Sequence, residues 1–260
     1  MDLLFTRIPF FSKAIAFVLI WFFETWRPMF AAQLKGRYQH ALRNILMALF
    51  NVLLLGLFVK TITTRVCAWA DLHQLGLLHQ IDFPNFFESV LALLLIDGWM
   101  YLWHRLNHKT SFLWRFHRMH HTDTALDVTS ASRFHPGELF FSALLRTCLI
   151  PVFGLAVLHI VLYEFVLMPV ILFCHSNVAI PEKWDRPLRA LIVTPRMHWV
   201  HHSDFEKETD SNYSSIFSFW DRLAKTFVIR KDPEKICYGI ADKKVERLQS
   251  IPEMLKTPFI

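Results

Sequence analysis

Long apolar runs are the feature that most constrains this chain. A helix needs about 20 mostly apolar residues to cross the hydrocarbon core of a bilayer. Three runs approach that length, at 9–26, 44–62 and 86–103, and a fourth region at 139–174 is long enough for two crossings. Hydrophobic residues make up 53% of the chain, which exceeds the usual share in soluble proteins. We therefore expect an all-α integral membrane bundle with four to five membrane-embedded helices.

The last apolar region predicts a helical hairpin. Pro151 and Gly154 interrupt it, and we expect residues 155–163 to hold the turn. We treat the whole chain, 1–260, as a single membrane domain. Its parts are the N-terminal membrane helices 1–96, a catalytic region 97–230 and a C-terminal segment 231–260.

Basic residues predict the orientation in the membrane. The segment between the first and second runs carries four of them, Arg27, Lys35, Arg37 and Arg43, whereas the next segment carries only Lys60 and Arg65. Because Lys and Arg concentrate in cytoplasmic loops, the first segment is expected to be cytoplasmic, and the helical cap after the third run lies on the same side. The basic residues flank apolar runs, which favours membrane lipids as partners and argues against nucleic acid.

Histidines are concentrated in three groups. Eight of the 14 fall in His104-Arg-Leu-Asn-His108, His117-Arg-Met-His120-His121 and His198-Trp-Val-His201-His202. Positions three and four apart share one face of a helix, so each group directs several imidazoles at one point. Eight imidazoles are too many for one zinc ion, which usually takes four ligands. Two metal ions fit the count, and imidazole alone leaves iron, zinc, copper and nickel open.

Two single histidines are further candidate ligands. His175 ends the fourth apolar region, where it would enter the polar site from the membrane, and His135 lies in Arg133-Phe-His-Pro-Gly-Glu138. For each of them the alternative is a buried structural histidine with other hydrogen-bond partners.

Several polar residues beside the groups are candidates for holding the ligands in place. Asp97 shares a helical face with His104 and His108, and either orients one of them or faces a water-filled pocket. The other candidates are Asp123, Asp127, Asn177 and Asp210.

These motifs together carry a family resemblance. In chain order they are Asp97-Gly-Trp-Met-Tyr-Leu-Trp-His-Arg-Leu-Asn-His108, Leu113-Trp-Arg-Phe-His-Arg-Met-His-His121, Arg133-Phe-His-Pro136, His175-Ser-Asn177, Met197-His-Trp-Val-His-His-Ser203, Glu208-Thr-Asp-Ser-Asn-Tyr213 and Trp220-Asp-Arg-Leu223. The chain resembles the fatty acid hydroxylase or sterol desaturase superfamily, particularly its short bacterial members. Ser214 and Ala224-Lys-Thr226 stand where the family often has Gly and Phe-Gly-Thr.

The resemblance implies a membrane enzyme of the bacterial inner membrane, with its active site facing the cytoplasm. Its di-iron centre would activate O2 to hydroxylate or desaturate a lipid C–H bond in a sterol, a fatty acyl chain or a related lipid. The eight clustered histidines would be the iron ligands and catalytic residues, with His175 and His135 completing the set. Electrons would come from a separate ferredoxin, or from a cytochrome with its reductase. Zinc can replace iron during purification, and a dizinc hydrolase or a non-catalytic metal-binding membrane protein remains the alternative.

Overall fold

The computed structural model describes residues 2–241 and 245–260, with the backbone alone for 2–9, and predictions that cover Met1 and 242–244 fall outside it. Within the described residues the regular structure is helical. The helices are α1 Asp2–Trp26, α2 Arg37–Leu72, α3 Asn85–Lys109, α4 Ser111–His121, α5 Pro136–Phe153, α6 Val157–His175, α7 Glu182–Leu191, α8 Pro195–His201, α9 Glu206–Thr209, α10 Phe219–Leu223 and α11 Ile251–Lys256.

Four helical segments of the described chain are long and apolar enough to cross a membrane: Arg37–Gln80, Asn85–Lys109, Pro136–Phe153 and Val157–His175. They correspond to α2 with the turn after it, α3, α5 and α6. The apolar helix α1 packs along α6. The predicted all-α membrane bundle is therefore confirmed.

The outside of the bundle is apolar. On α2, Leu53 and Leu57 are 85% and 78% exposed, and Phe86 at the start of α3 is 72% exposed. A soluble protein rarely leaves a continuous belt of such side chains in water. In hydrocarbon the same belt is the ordinary outer surface of a helical bundle.

Inside the bundle, small and medium side chains let α3 and α6 run close together. Ala92 and Ile96 of α3 pack with Tyr163 and Leu167 of α6, and Ile150 of α5 closes the same core. The C-terminal ends of α3 and α6 consequently meet, and both of these ends carry histidines.

Asp97 joins the bundle to the cap. This buried carboxylate accepts hydrogen bonds from the Tyr163 hydroxyl at 3.0 Å, the Ile216 and Phe217 backbone N–H groups at 3.2 and 3.1 Å, and Trp220 Nε1 at 2.9 Å. Its oxygens therefore hold a cap segment, residues 216–220, against α3 and α6. From the sequence we expected Asp97 either to orient a histidine or to face a water-filled pocket. Neither describes these contacts, because the partners of Asp97 are 66 to 123 residues away along the chain.

The described part of the C-terminal segment packs against the bundle. Met254 of α11 is fully buried between Met47 of α2 and Met119 of α4. The Gln249 side-chain amide also donates to the Thr122 carbonyl at 2.7 Å. The end of the chain therefore closes one side of α4, the helix that carries the second histidine group.

The hairpin turn lies earlier than predicted. The turn comprises residues 154–156, because α5 ends at Phe153 and α6 begins at Val157, so only the first two residues of the predicted range 155–163 lie in it. Gly154 caps α5 with φ +74°. A Cβ at Gly154 would lie 2.6 Å from His79 Nδ1 and 2.9 Å from the Leu75 carbonyl oxygen. Both the left-handed backbone and the close approach of the α2–α3 connection require glycine at this position.

We expect Gly154→Ala to destabilise the protein. A left-handed conformation costs a residue with a Cβ about 1–2 kcal/mol, and the contact with the Leu75 carbonyl adds to this. The thermal midpoint in detergent should fall by several degrees. The control is Gly56→Ala, because Gly56 lies within α2 and its nearest neighbour would be Val52 Cγ1 at 3.6 Å. Equal effects of the two substitutions would contradict this account of the turn.

Candidate metal centre

Four helices bring nine histidines together at one end of the bundle. Within the described residues the imidazole nitrogens form two groups, and in each group the ligand atoms lie within 4.8 Å of one another. The first group is His104, His108, His117, His121 and His201, and the second is His120, His175, His198 and His202. The structure thus brings all eight clustered histidines and His175 together in two groups, each of which could hold a metal ion.

Helical spacing divides each three-histidine motif between the two groups. In the motif of α4, the first and last histidines are four apart and belong to the first group, while His120 faces the second. In the motif of α8, His201 belongs to the first group, while His198 and His202 belong to the second. Both α4 and α8 therefore contribute to both groups, which holds the groups side by side.

Hydrogen bonds fix the protons of five rings. A neutral imidazole carries one N–H, which needs an acceptor when it is buried. The Nδ1 acceptors are the Tyr213 carbonyl for His104 at 2.9 Å, Glu138 Oε1 for His117 at 2.7 Å, the Arg133 carbonyl for His120 at 3.3 Å, the Ile171 carbonyl for His175 at 2.8 Å and the Ser211 carbonyl for His201 at 2.7 Å. In all five rings Nε2 consequently carries a lone pair and no proton.

Those free nitrogens face one another. Nε2 of His175 lies 3.1 Å from Nε2 of His120 and 3.0 Å from Nε2 of His198. Since both His120 and His175 carry their proton on Nδ1, their close contact joins two lone pairs and is no hydrogen bond. Metal–imidazole bonds are about 2.0–2.1 Å long, so two ligands at right angles on one ion lie about 3.0 Å apart. The observed spacing fits nitrogens that share an ion.

Burial keeps the rings neutral. It lowers the pKa of His120, His121, His198 and His202 well below the usual range, and neighbouring imidazoles lower each pKa further. Burial likewise lowers the pKa of His201 to about 3. These imidazoles therefore present lone pairs at neutral pH, as metal ligands must.

Glu138 orients His117 and is absent from the sequence prediction. Its buried carboxylate, in the first turn of α5, accepts the Nδ1 proton of His117. The signal that could have identified Glu138 is an acid at the start of an otherwise apolar helix. The carbonyls of Tyr213 and Ser211 act in the same way, but no side-chain pattern identifies a backbone acceptor.

Asp210 is the predicted acid that lies closest to the histidines. Its Oδ1 is 3.6 Å from His108 Nδ1, and its Oδ2 accepts a hydrogen bond from Lys109 Nζ at 2.6 Å. The Tyr213 hydroxyl also donates to Asp210, at 3.2 Å. Asp210 thus lies beside the first histidine group.

The other predicted polar residues act one layer away. Asp123 and Asp127 hold the ring of His40, at 2.8 and 3.1 Å, and not a clustered histidine. Burial by itself would raise the pKa of Asp123, but His40 and Arg133 outweigh it and lower this pKa below its usual range. Asp123 is therefore a charged anchor between α2 and the end of α4.

Asn177 ties α1 to the segment after α6. Its side chain accepts the Phe30 N–H at 2.9 Å and donates to the Phe30 carbonyl at 3.1 Å. The backbone N–H of Asn177 donates to the buried Glu24 carboxylate at 3.0 Å. This segment begins directly after His175, so the clamp limits the movement of that ring.

His135 lies outside both histidine groups. Its Nδ1 accepts the Gly137 N–H at 2.9 Å and its Nε2 lies 3.2 Å from the Leu255 carbonyl oxygen. Both ring nitrogens thus serve the start of α5 and the C-terminal segment. We leave His135 out of the ligand set proposed below.

Comparison with known proteins agrees with this architecture. The fatty acid hydroxylase family model matches residues 89–226, which is more than half of the chain and contains all nine histidines. No solved structure is significantly similar to the chain.

Three relatives are named for the oxygenation of lipids. The chain is 34% identical over 62% of its length to the ornithine lipid hydroxylase OlsE of Rhizobium tropici. It is 28% identical over 69% to the alkylglycerol monooxygenase of Danio rerio, and 29% identical over 54% to methylsterol monooxygenase 1 of Gallus gallus. The matches span 48%, 38% and 46% of these relatives' own lengths. The predicted resemblance is confirmed: the chain belongs to the fatty acid hydroxylase family.

Proposed function

We propose that the nine histidines hold two iron ions and that the protein uses O2 to hydroxylate or desaturate a lipid C–H bond. The observation that carries this proposal is the pair of facing imidazole groups, with free lone pairs, at one end of an apolar bundle. The eight clustered histidines would be the catalytic ligands, and His175 the ninth.

The number of ligands favours iron. One group offers five imidazoles and the other four, whereas zinc in proteins is almost always held by four ligands or fewer. Imidazole binds iron well, and neutral ligands avoid the penalty of an ionised carboxylate beside hydrocarbon.

The proposed reaction balances with an external electron donor. Hydroxylation consumes the C–H bond, O2, two electrons and two protons, and yields C–OH and water. Two iron ions bound by the histidines would supply the redox chemistry that reduces O2 with these electrons. The chain's own part is to fix the rings through their Nδ1 acceptors and to keep water out by burial. A ferredoxin, or a cytochrome with its reductase, would deliver the electrons at the cap.

Three relatives support a lipid as the substrate, because each is named for a hydroxylase or monooxygenase of a lipid. The apolar outer surface would let an acyl chain or a sterol reach the site from the bilayer. The four basic residues between the first two apolar runs, together with the match to a bacterial relative, support a bacterial inner membrane with the cap in the cytoplasm.

Labelled oxygen tests the activity. Cells that express the chain would be grown under 18O2 and their lipids compared with those of cells expressing His201→Ala. A hydroxylase should produce a lipid 18 mass units heavier, and a desaturase a lipid 2 units lighter, only with the unchanged chain. A lipid cleaved without O2 by a zinc-loaded protein would instead establish the dizinc hydrolase.

Metal content should separate ligands from other buried histidines. We expect His175→Ala to lose metal, because its Nε2 lies at the centre of the second group. The control is His159→Ala, since His159 is equally buried but lies at the start of α6, beside Glu88 at 3.5 Å. His135→Ala should also retain metal. Element analysis of the purified variants provides the measurement, and metal retained in His175→Ala would contradict the assignment.

Glu138 should tune the affinity for metal. Loss of an acceptor behind a metal-bound histidine typically weakens metal affinity about 10- to 100-fold. We expect that range for Glu138→Ala and a smaller effect for Glu138→Gln, whose amide oxygen still accepts from His117. Chelator competition measures the affinity. The control is Glu88→Ala, which removes the acid beside His159 and should leave the affinity for metal unchanged. A loss of affinity in this variant would show that the effect of Glu138→Ala is not specific.

A further inference from the structure

The helix α7 has its polar side turned toward the protein and its apolar side turned outward. Trp184, Leu188 and Leu191 are 64%, 38% and 68% exposed. At 100° per residue these three fall within about 60° of arc. A surface helix of a soluble protein has the reverse arrangement, with its apolar stripe against the core.

The polar side of α7 is fixed by ion pairs. Asp185 is fully buried and pairs with Arg189, whose guanidinium also donates to Glu182 at 2.8 Å. Glu182 in turn lies 3.1 Å from Arg196 of α8. The pairs of Arg189 lie within α7, whereas the burial of Asp185 and the contact of Glu182 with Arg196 fix the rotation of α7 about its axis, so the outward apolar stripe is part of the folded structure.

The C-terminal end of α7 lies beside a segment that enters the bundle. Its Leu191 carbonyl accepts the Ser218 N–H at 3.2 Å. Next to Ser218, the Phe217 N–H and the Trp220 indole donate to Asp97. Asp97 precedes His104 by seven residues on α3, which at 1.5 Å per residue is about 10 Å further into the span. The end of α7 is therefore close to the hydrocarbon.

The charge beside the stripe fits a lipid surface. Lys183 is exposed on α7, and its Nζ lies 5.6 Å from the Trp184 ring. Basic residues near a bilayer are attracted to anionic headgroups, and tryptophan is enriched at the boundary between headgroups and acyl chains. Lys183 lies about 100° around the helix from Trp184, beside the apolar stripe. An apolar stripe with a basic residue beside it is the pattern of a helix that lies in the plane of that boundary.

We propose that α7 is an interfacial helix that inserts Trp184, Leu188 and Leu191 into the leaflet on the side of the cap, with Lys183 against anionic headgroups. The helix thereby docks the cap, and with it α8 and its metal-site histidines, onto the bilayer. This inference needs neither the metal nor the proposed reaction.

Spin labels in lipid nanodiscs that contain anionic phospholipid test the insertion. With the four native cysteines replaced by Ser or Ala, a nitroxide would be attached at Leu188→Cys, at Leu191→Cys and, as a matched control, at Phe205→Cys. Phe205 is also an exposed apolar residue, 55% accessible, and it directly precedes α9 in the cap. Power-saturation spectra would compare collisions with O2, which partitions into lipid, and with a water-soluble nickel chelate.

We expect the two α7 labels to collide mainly with O2 and the Phe205 label mainly with the nickel chelate. Aqueous behaviour at both α7 positions would overturn the proposal. So would immobilised labels that neither agent reaches, which would indicate that a second protein chain covers the stripe. A Phe205 label that also collides mainly with O2 would overturn the proposal too, because α7 would then not differ from the rest of the cap. Two independent α7 positions guard against one label disturbing the helix.

Discussion

The structure is organised around nine imidazoles whose ring nitrogens are packed toward one another. Buried polar atoms without a partner cost about 1–3 kcal/mol each, and His104 Nε2 and His201 Nε2 have none among the described residues. Facing lone pairs, as between His120 and His175, add repulsion. A cation between the rings removes both penalties at once. Metal binding and folding of the cap are for this reason expected to be coupled.

The surrounding structure serves to hold those rings. The apolar core brings the ends of α3 and α6 together, and Asp97 pins the segment 216–220 between the same two helices. A few residues before that segment, the Tyr213 carbonyl accepts the proton of His104. Asp221 in turn binds the Tyr213 N–H at 2.8 Å. His104 is thereby linked to the cap through a short chain of hydrogen bonds, and the outward stripe of α7 lies on the same cap.

The sequence predicted what depends on local spacing. Apolar length gave the membrane helices, and the three- and four-residue spacing of histidines gave the three groups that form the site. Contacts between distant residues were beyond such patterns. Asp97 lies on the predicted helical face but binds a segment about 120 residues away, His135 has both ring nitrogens engaged elsewhere, and Glu138 reaches His117 only once α5 packs beside α4. The predicted hairpin turn extended too far into α6, and it left out Gly154, which adopts the left-handed conformation that the turn requires.

In the proposed function, the two histidine groups hold two neighbouring iron ions. Mössbauer spectroscopy of protein produced in cells supplied with 57Fe, combined with an iron count per chain, tests it most directly. The account predicts about two irons per chain with the spectrum of a magnetically coupled pair, as expected for ions in two adjoining ligand groups. Zinc bound in both groups despite iron-rich growth, or a single uncoupled iron, would contradict it.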